Sequence, residues 1–345
     1  MTYNQYLLTT TSSHKSAFQR KMLNYFKWIF WIFIVQFLLF NISAALYAYK
    51  FTKVYDAPIA GSVSGQTNVL NKTWRFFSGP LQRKMLSSPS PVFKYKTITF
   101  HTKNKLSLEA WFAQPDIASK GTVILFHGWL SNKSILLPEA SEFIFQGYSV
   151  LLVDFRAHGN SQGHVTTIGV NEAEEVKLAW DFIKTKGEKN IILYGISMGA
   201  VAIAKAVGEF SLSPSGLILE MPFESMQSII QGKARAQGFQ NFVIKPFSFF
   251  VTFWMGVERG ISALQHKTAN YVSKINCPVL LQWGANDEYV LRNETEKIFN
   301  AIASKNKKIV VYENAGHESL LYNDPHQWRI ETERFLKNIN SGLPL

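Results

Sequence analysis

The sequence has almost no cysteine, no acidic residue before position 56, and none of the loops that hold phosphates or dinucleotides. Cys277 stands alone among 345 residues, which excludes an intramolecular disulfide and a cysteine-based metal cluster; its setting in "CPVLLQW" makes it an expected core residue. No glycine-rich phosphate loop, dinucleotide fingerprint or metal-ligand spacing occurs, so no cofactor or metal is implied. Internal repeats and low-complexity segments are missing as well. The net charge of +12 does not point to nucleic acid. Residues 1–53 hold six Lys or Arg and no Asp or Glu, and the remaining excess is spread over the chain without a long basic block.

What replaces charge near the start is a long apolar run. Trp28 to Tyr49 is 22 residues without a charge, broken only by Gln36, Asn41 and Ser43. As a helix it would span about 33 Å, enough to cross a bilayer. Lys15, Arg20, Lys21 and Lys27 precede it, which predicts a cytoplasmic segment 1–27, a single-pass anchor 28–49 and a globular remainder on the non-cytoplasmic side. The alternative is a cleaved signal ending near Ser43-Ala44-Ala45. The retained anchor is the expected state because the apolar run continues past that site. Residues 50–92 form a linker or juxtamembrane segment. In it Trp74, Phe77, Leu81 and Met85 fall at helical spacing beside Lys72, Arg75, Arg83 and Lys84, fit either to lie on a membrane or to pack on the domain, with Gly79-Pro80 as a helix breaker.

From Phe93 to the end the pattern is regular. "YKTITF" and "LSLEAWFA" alternate as a hairpin, and short apolar runs follow: "TVILF", "SVLLVDF", "IILYG", "GLILEM", "PVLLQWG" and "KIVVYE". Helix-like stretches separate most of them, including Ile135 to Gln146, Asn171 to Lys184 and Asp324 to Ile339. Apolar runs buried on both faces and spaced by helices predict one α/β domain, 93–345, with a mainly parallel eight-stranded sheet covered on each side. After "LILEMPFES" about fifty residues pass before the next strand. Their aromatic-rich part, "FVIKPFSFFVTFWMGV", predicts a helical insertion over about 222–270, serving as a lid or as ordinary packing.

In "IILYGISMGA" a hydroxyl lies between two glycines where a strand gives way to a helix. A nucleophile on so sharp a turn has strained backbone angles, and Gly195 and Gly199 remove side chains that would collide with it. A loop serine between two convenient glycines is the other reading of these ten residues. The remaining strand ends decide between them, since ligands of open parallel sheets sit at the carboxyl ends. "TVILF" delivers His127, Gly128 and Trp129; "PVLLQWG" leads to Asp287; "KIVVYE" leads to His317. A serine needs a base to take its proton, a neutral histidine serves at neutral pH, and a carboxylate fixes the tautomer. The chain order Ser197, Asp287, His317 is the one expected for a nucleophile elbow.

"HGW", "DFRAHGNSQG" at Asp154 to Gly163, "GISMG", and "GANDEYV" followed by "AGHES" together resemble the α/β-hydrolase fold superfamily over about 93–340, in its serine-aminopeptidase-like and monoacylglycerol-lipase-like branch. The resemblance implies Ser197 as nucleophile, His317 as general base and then acid, and Asp287 as the orienting acid. It implies an oxyanion hole from the backbone N–H groups of Trp129 and Met198, with His127 and Gly128 structural near the site. His158 stands where relatives often have glycine, and is expected as a surface residue rather than a substrate contact. Glu220 ends the strand before the insertion, where some relatives carry the acid; Asp287 is preferred because its motif matches closely.

These readings converge on a membrane-anchored serine hydrolase that cleaves a small-molecule or lipid-like carboxylic ester. The alternatives are a serine peptidase, needing Glu224 or Glu258 for a substrate amine, and a non-catalytic membrane-tethered binding module with the same fold.

Overall fold

The computed structural model describes residues 3–56, 68, 74, 78–79, 81–239 and 241–345. A single helix, α1 (Tyr3–Thr52), contains the apolar run and extends beyond it at both ends. Its stretch Gln19–Thr52 is long and apolar enough to cross a membrane. Trp28, Phe30, Trp31, Phe33 and Leu39 stand exposed, whereas Ala44, Tyr47, Ala48 and Phe51 are buried in the common hydrophobic core. The last two turns of α1 therefore belong to the globular domain.

Short strands β1 (Val54–Tyr55) and β2 (Gln82–Arg83) pair in parallel, so the helical spacing of the apolar residues does not carry on past the expected breaker at Gly79-Pro80. Phe77, Lys72 and Arg75 of that expected segment lie outside the described residues. Gly79 lies against α1, where a Cβ would come within 2.9 Å of the Tyr47 Cα. Ser87 Oγ donates to Asp154 at 2.7 Å, and Asn132 Nδ2 donates to the Leu86 carbonyl at 3.3 Å. The described part of 50–92 thus packs on the domain.

The main sheet contains β3 (Tyr95–His101), β4 (Ser107–Ala113), β5 (Thr122–Phe126), β6 (Ser149–Val153), β7 (Ile191–Ile196), β8 (Gly216–Glu220), β9 (Val279–Gly284) and β10 (Lys307–Tyr312), in the spatial order β10-β9-β8-β7-β5-β6-β4-β3. Strands β5 to β10 are mutually parallel; β4 is antiparallel to β6 and β3 to β4. β5, β6, β8 and β9 are buried along their whole length, as expected for strands covered on both faces, whereas β3 is mostly exposed at the sheet edge. Helices α2 (Leu137–Phe145), α3 (Glu172–Thr185), α4 (Met198–Phe210), α5 (Met226–Arg235), α6 (Asn241–Arg259), α7 (Thr268–Val272), α8 (Arg292–Ala301), α9 (Leu320–Asn323) and α10 (Pro325–Ser341) complete the fold. The α5–α7 group is the insertion between β8 and β9.

Strand order reverses at β5, whose chain successors β6 and β7 lie on opposite sides of it. That switch point opens a crevice at the carboxyl ends of β5 and β7, where "HGW" and "GISMG" begin.

Candidate active site

The elbow at Ser197 is built by close approach. Ser197 has φ 52° and ψ −112°, a conformation disfavoured for a residue with a Cβ, and caps the start of α4. Gly199 lies so near β5 that a Cβ would stand 2.3 Å from the Phe126 carbonyl oxygen, and one on Gly195 would stand 2.7 Å from the Ala200 nitrogen. The Ser197 N–H donates to the Glu220 carbonyl at 2.8 Å, tying the turn to the end of β8. The hydroxyl thus projects over the N-terminus of α4, where first-turn N–H groups lack intrahelical acceptors and favour negative charge. Met198 N–H is the first of these.

Asp287 and His317 arrive on adjacent loops. Gly284 lets the β9 exit pass beside the His317 loop, since a Cβ there would fall 2.5 Å from the Ala315 carbonyl oxygen. Asp287 Oδ1 accepts from the N–H groups of Tyr289 at 2.8 Å and Val290 at 2.9 Å, which leaves Oδ2 aimed at His317 Nδ1, 2.7 Å away. His317 Nε2 lies 3.0 Å from Ser197 Oγ. Carboxylate, imidazole and hydroxyl form one hydrogen-bonded line.

The loop after β5 is held by two buried imidazoles. His127 Nδ1–H donates to the Gly128 carbonyl at 2.7 Å while Nε2 accepts from Phe155 N–H at 3.1 Å. His158 Nδ1–H donates to the Arg156 carbonyl at 2.7 Å and its Nε2 accepts from Leu130 N–H at 3.0 Å. Burial lowers His127 to about 3 and also lowers His158, so both rings are neutral and keep these tautomers. His158 is only 2% exposed, so the expected surface residue is an internal brace for the loop carrying Trp129. Leu130, held by that brace, has φ 58°. Gly128 sits beside Ser197, with room for a Cβ at 3.6 Å from the Ser197 Cβ.

Ser197 and His317 open into a cavity of ≈ 310 Å³. Trp129, Ile135, Ile168, Ile196, Phe223, Ile229 and Tyr289 supply its apolar wall. Ile229 and Lys233 come from α5, so the insertion contributes directly to the cavity.

Residues 117–251 and 252–326 match the family model described as serine aminopeptidase, S33. The chain belongs to this family. Among its relatives, this S33-family chain is 27% identical to an uncharacterized Bacillus subtilis protein, over 64% of this chain and 72% of the other. It is 25% identical to an uncharacterized membrane protein of Saccharomyces cerevisiae, over 68% and 78% respectively. An esterase of Pyrococcus furiosus superposes with a TM-score of 0.61 at 23% identity, covering 74% of this chain and 98% of that one. A bacterial membrane phospholipase A gives 0.52 at 19% identity, covering 71% and 86%. The fold is that of the α/β-hydrolases, and the family is a hydrolase family.

Within this S33-family site, Glu220 does not meet His317. Its Oε1 accepts from Trp328 Nε1 at 2.7 Å and Gln282 Nε2 at 3.2 Å in the interior, and burial raises its carboxyl to about 8. Of the insertion's two acidic residues, Glu224 pairs with Lys297 at 2.5 Å, and neither it nor Glu258 lines the cavity. Among the lining residues to which the sequence assigns no role at the site are Lys233, Tyr289 and Glu139. Lys233 in "IIQGKAR" reads as an ordinary surface lysine, and only the docking of α5 turns it inward.

Proposed function

We propose that this protein is a membrane-anchored serine hydrolase that cleaves a carboxylic ester, in the manner of an esterase or lipase, through an acyl-enzyme on Ser197. The observation that carries the reading is the hydrogen-bonded line from Asp287 Oδ2 through His317 to Ser197 Oγ. In that reaction Ser197 Oγ attacks the ester carbonyl carbon as His317 Nε2 takes the hydroxyl proton. Charge gathers on the carbonyl oxygen, which the backbone N–H groups of Met198 and Trp129 receive; losing one such donor costs about 3 kcal/mol of barrier. The tetrahedral species collapses, His317 gives its proton to the departing alkoxide, and the alcohol leaves. Water, deprotonated by His317, then releases the acid and restores Ser197. Asp287 holds Nδ1–H toward itself throughout and stabilises the imidazolium.

An ester rather than a peptide is favoured by the cavity, whose insertion-derived wall brings a lysine and no carboxylate to meet a substrate amine. Esterases among the solved structures of the same fold agree with this reading. The α5–α7 insertion acts as the lid. The exposed apolar part of α1 from Trp28 onward serves as the anchor and its buried last two turns root it in the domain, so the expected span 28–49 ends earlier than the sequence suggested; residues 1–27 are cytoplasmic and the hydrolase domain lies across the membrane. A relative called a membrane protein supports the membrane association, and the basic residues before Trp28 support the orientation.

The test is labelling with a fluorophosphonate alongside hydrolysis of a short-chain ester. The wild-type chain is expected to label and Ser197→Ala not to, with hydrolysis falling by several orders of magnitude in the variant. Wild-type turnover by Ser197→Ala overturns the serine mechanism. No labelling and no turnover in the wild type identifies a binding module instead.

A further inference from the structure

Lys233 is the basic side chain of the insertion that reaches the cavity containing Ser197 and His317. Its Nζ lies 4.2 Å from the centroid of the Trp129 ring and 5.1 Å from that of Tyr289. Both aromatic residues belong to the site: Trp129 follows Gly128 in the loop after β5, and the Tyr289 ring lies 5.1 Å from that of His317. Among the described residues no carboxylate pairs with this ammonium and no carbonyl accepts from it. Most other half-buried or buried cations have such partners, as Lys133 does in Glu109 at 2.9 Å. Aromatic faces stabilise a cation but leave its N–H donors unsatisfied. Burial lowers its ammonium to about 8, which keeps the cationic form dominant at neutral pH.

The acidic groups on the same cavity do not neutralise it. Glu139 is buried against Ser319, whose Oγ donates to it at 2.7 Å, and burial raises its carboxyl. Glu318 is exposed at the rim and accepts from Asn323 Nδ2 at 3.1 Å. An apolar chamber with one uncompensated ammonium in its roof suits a ligand of matching pattern: a short hydrocarbon portion and one anionic oxygen group.

We propose that Lys233 forms an anion subsite beside Ser197, so that the ester this cavity takes carries a carboxylate or phosphate group. The subsite deepens the serine-hydrolase reading and rests on it for its role in turnover, but not for its binding. Trp129 and Tyr289 hold the ammonium in position, and the anion replaces the water that otherwise meets its N–H groups.

The test is calorimetric titration of the full-length protein in detergent with butyl phosphate, pentanoate and pentanol, each corrected for its partition into protein-free micelles of the same detergent. At least one of the two anions is expected to bind ten- to a hundredfold more tightly than pentanol, as a charge-assisted hydrogen bond in a sheltered site allows. Whichever anion binds more tightly identifies the source, phosphate or carboxylate. Lys233→Gln should remove most of the preference and Lys233→Arg should keep it. Equal affinities in the unaltered protein overturn the subsite, whether or not Lys233→Gln folds. So does an equal weakening of all three ligands in Lys233→Gln, the mark of a purely structural lysine. Fluorophosphonate labelling of the same samples separates the two readings. Labelling without anion preference removes the subsite alone, and anion preference without labelling removes the hydrolase reading alone.

Discussion

Replacing Asp287 by Asn should cost far more activity than replacing Glu220 by Gln, and the hydrogen bonds set the size of the difference. Asp287 Oδ1 already accepts two backbone N–H groups, those of Tyr289 and Val290. An Asn there must keep its oxygen toward those donors, so its NH₂ turns to His317 Nδ1. The imidazole is then held with its proton on Nε2, pointing at Ser197 Oγ, and cannot act as the base. A wrong tautomer of this kind in a serine triad costs about 10⁴ in kcat, or about 5 kcal/mol of barrier. Glu220 is buried with its carboxyl raised to about 8, so it is mostly protonated at neutral pH and an amide imitates it in size and charge. Its substitution should change kcat/KM by less than tenfold. The assay is hydrolysis of a short-chain p-nitrophenyl ester at pH 7 with purified protein, with thermal unfolding to show that each variant is folded. The reverse ranking, or a loss below tenfold in Asp287→Asn, would refute the reasoning and move the acid to the end of β8.

The same carboxyl gives a pH signature. Glu220 is neutral in the folded chain up to about 8 but ionises above about 4.5 once unfolded, so its contribution is complete below about 4.5 and is lost as pH rises toward 8. Thermal unfolding from pH 5 to 8 should therefore show Glu220→Gln gaining on the wild type by up to about 1.4 kcal/mol per pH unit, and a flat difference would contradict the raised pKa. Gly232→Ala puts a Cβ 2.2 Å from the Tyr289 carbonyl oxygen, on the loop that aims Asp287. Overpacking against backbone costs about 1–3 kcal/mol, so both thermal stability and kcat should fall, and unchanged kinetics would show that α5 moves without the loop.

The parallel sheet made much of this legible. Strands buried on both faces appear as short apolar runs, and because β5, β7, β9 and β10 are parallel, their trailing motifs emerge at one edge. Ser197, Asp287 and His317 could be read as neighbours on that ground before any distance was known. His158 was not legible in the same way. It sits in a glycine- and asparagine-containing loop typical of surfaces, and its burial arises only because Leu130, far away in sequence, places an N–H against its ring. Lys233 was hidden for a similar reason. On an isolated α5 it is one polar side chain among several, and its direction is set by Gly232 seating the helix on Tyr289. The pairing of Val54–Tyr55 with Gln82–Arg83 has two residues per strand, too short for any periodicity to announce it.

The way α1 enters the domain bears on whether the apolar run is retained. A cleaved signal would leave a chain starting near Leu46, and the packing upstream of that point would be lost. Phe37 meets Phe250 edge-on at 5.8 Å, and Phe40 meets Phe247 at 5.5 Å and Phe250 at 5.6 Å. Asn41, the awkward polar residue of an anchor, donates to the Phe37 carbonyl at 2.9 Å and accepts from Trp254 Nε1 at 3.4 Å. Each aromatic pair contributes roughly 0.5–1.5 kcal/mol beyond area burial, so removing three costs roughly 1.5–4.5 kcal/mol and bares the α6 face they cover. For a domain of this size that is a fall in Tm of roughly 3 °C or more. Below Leu46, the Arg259 Nε bond to Thr52 Oγ1 at 2.7 Å still ties α6 to the last turn of the helix. A protein truncated to begin at Leu46 should therefore remain folded but melt earlier, with α6 cut sooner by protease than in the detergent-solubilised full chain. The native N-terminus, sequenced from carbonate-washed membranes, should precede Trp28. A mature chain that starts after Ala45, is found in the soluble fraction and melts like the full-length protein would show the helix to be a removable signal and its contacts with α6 to be dispensable.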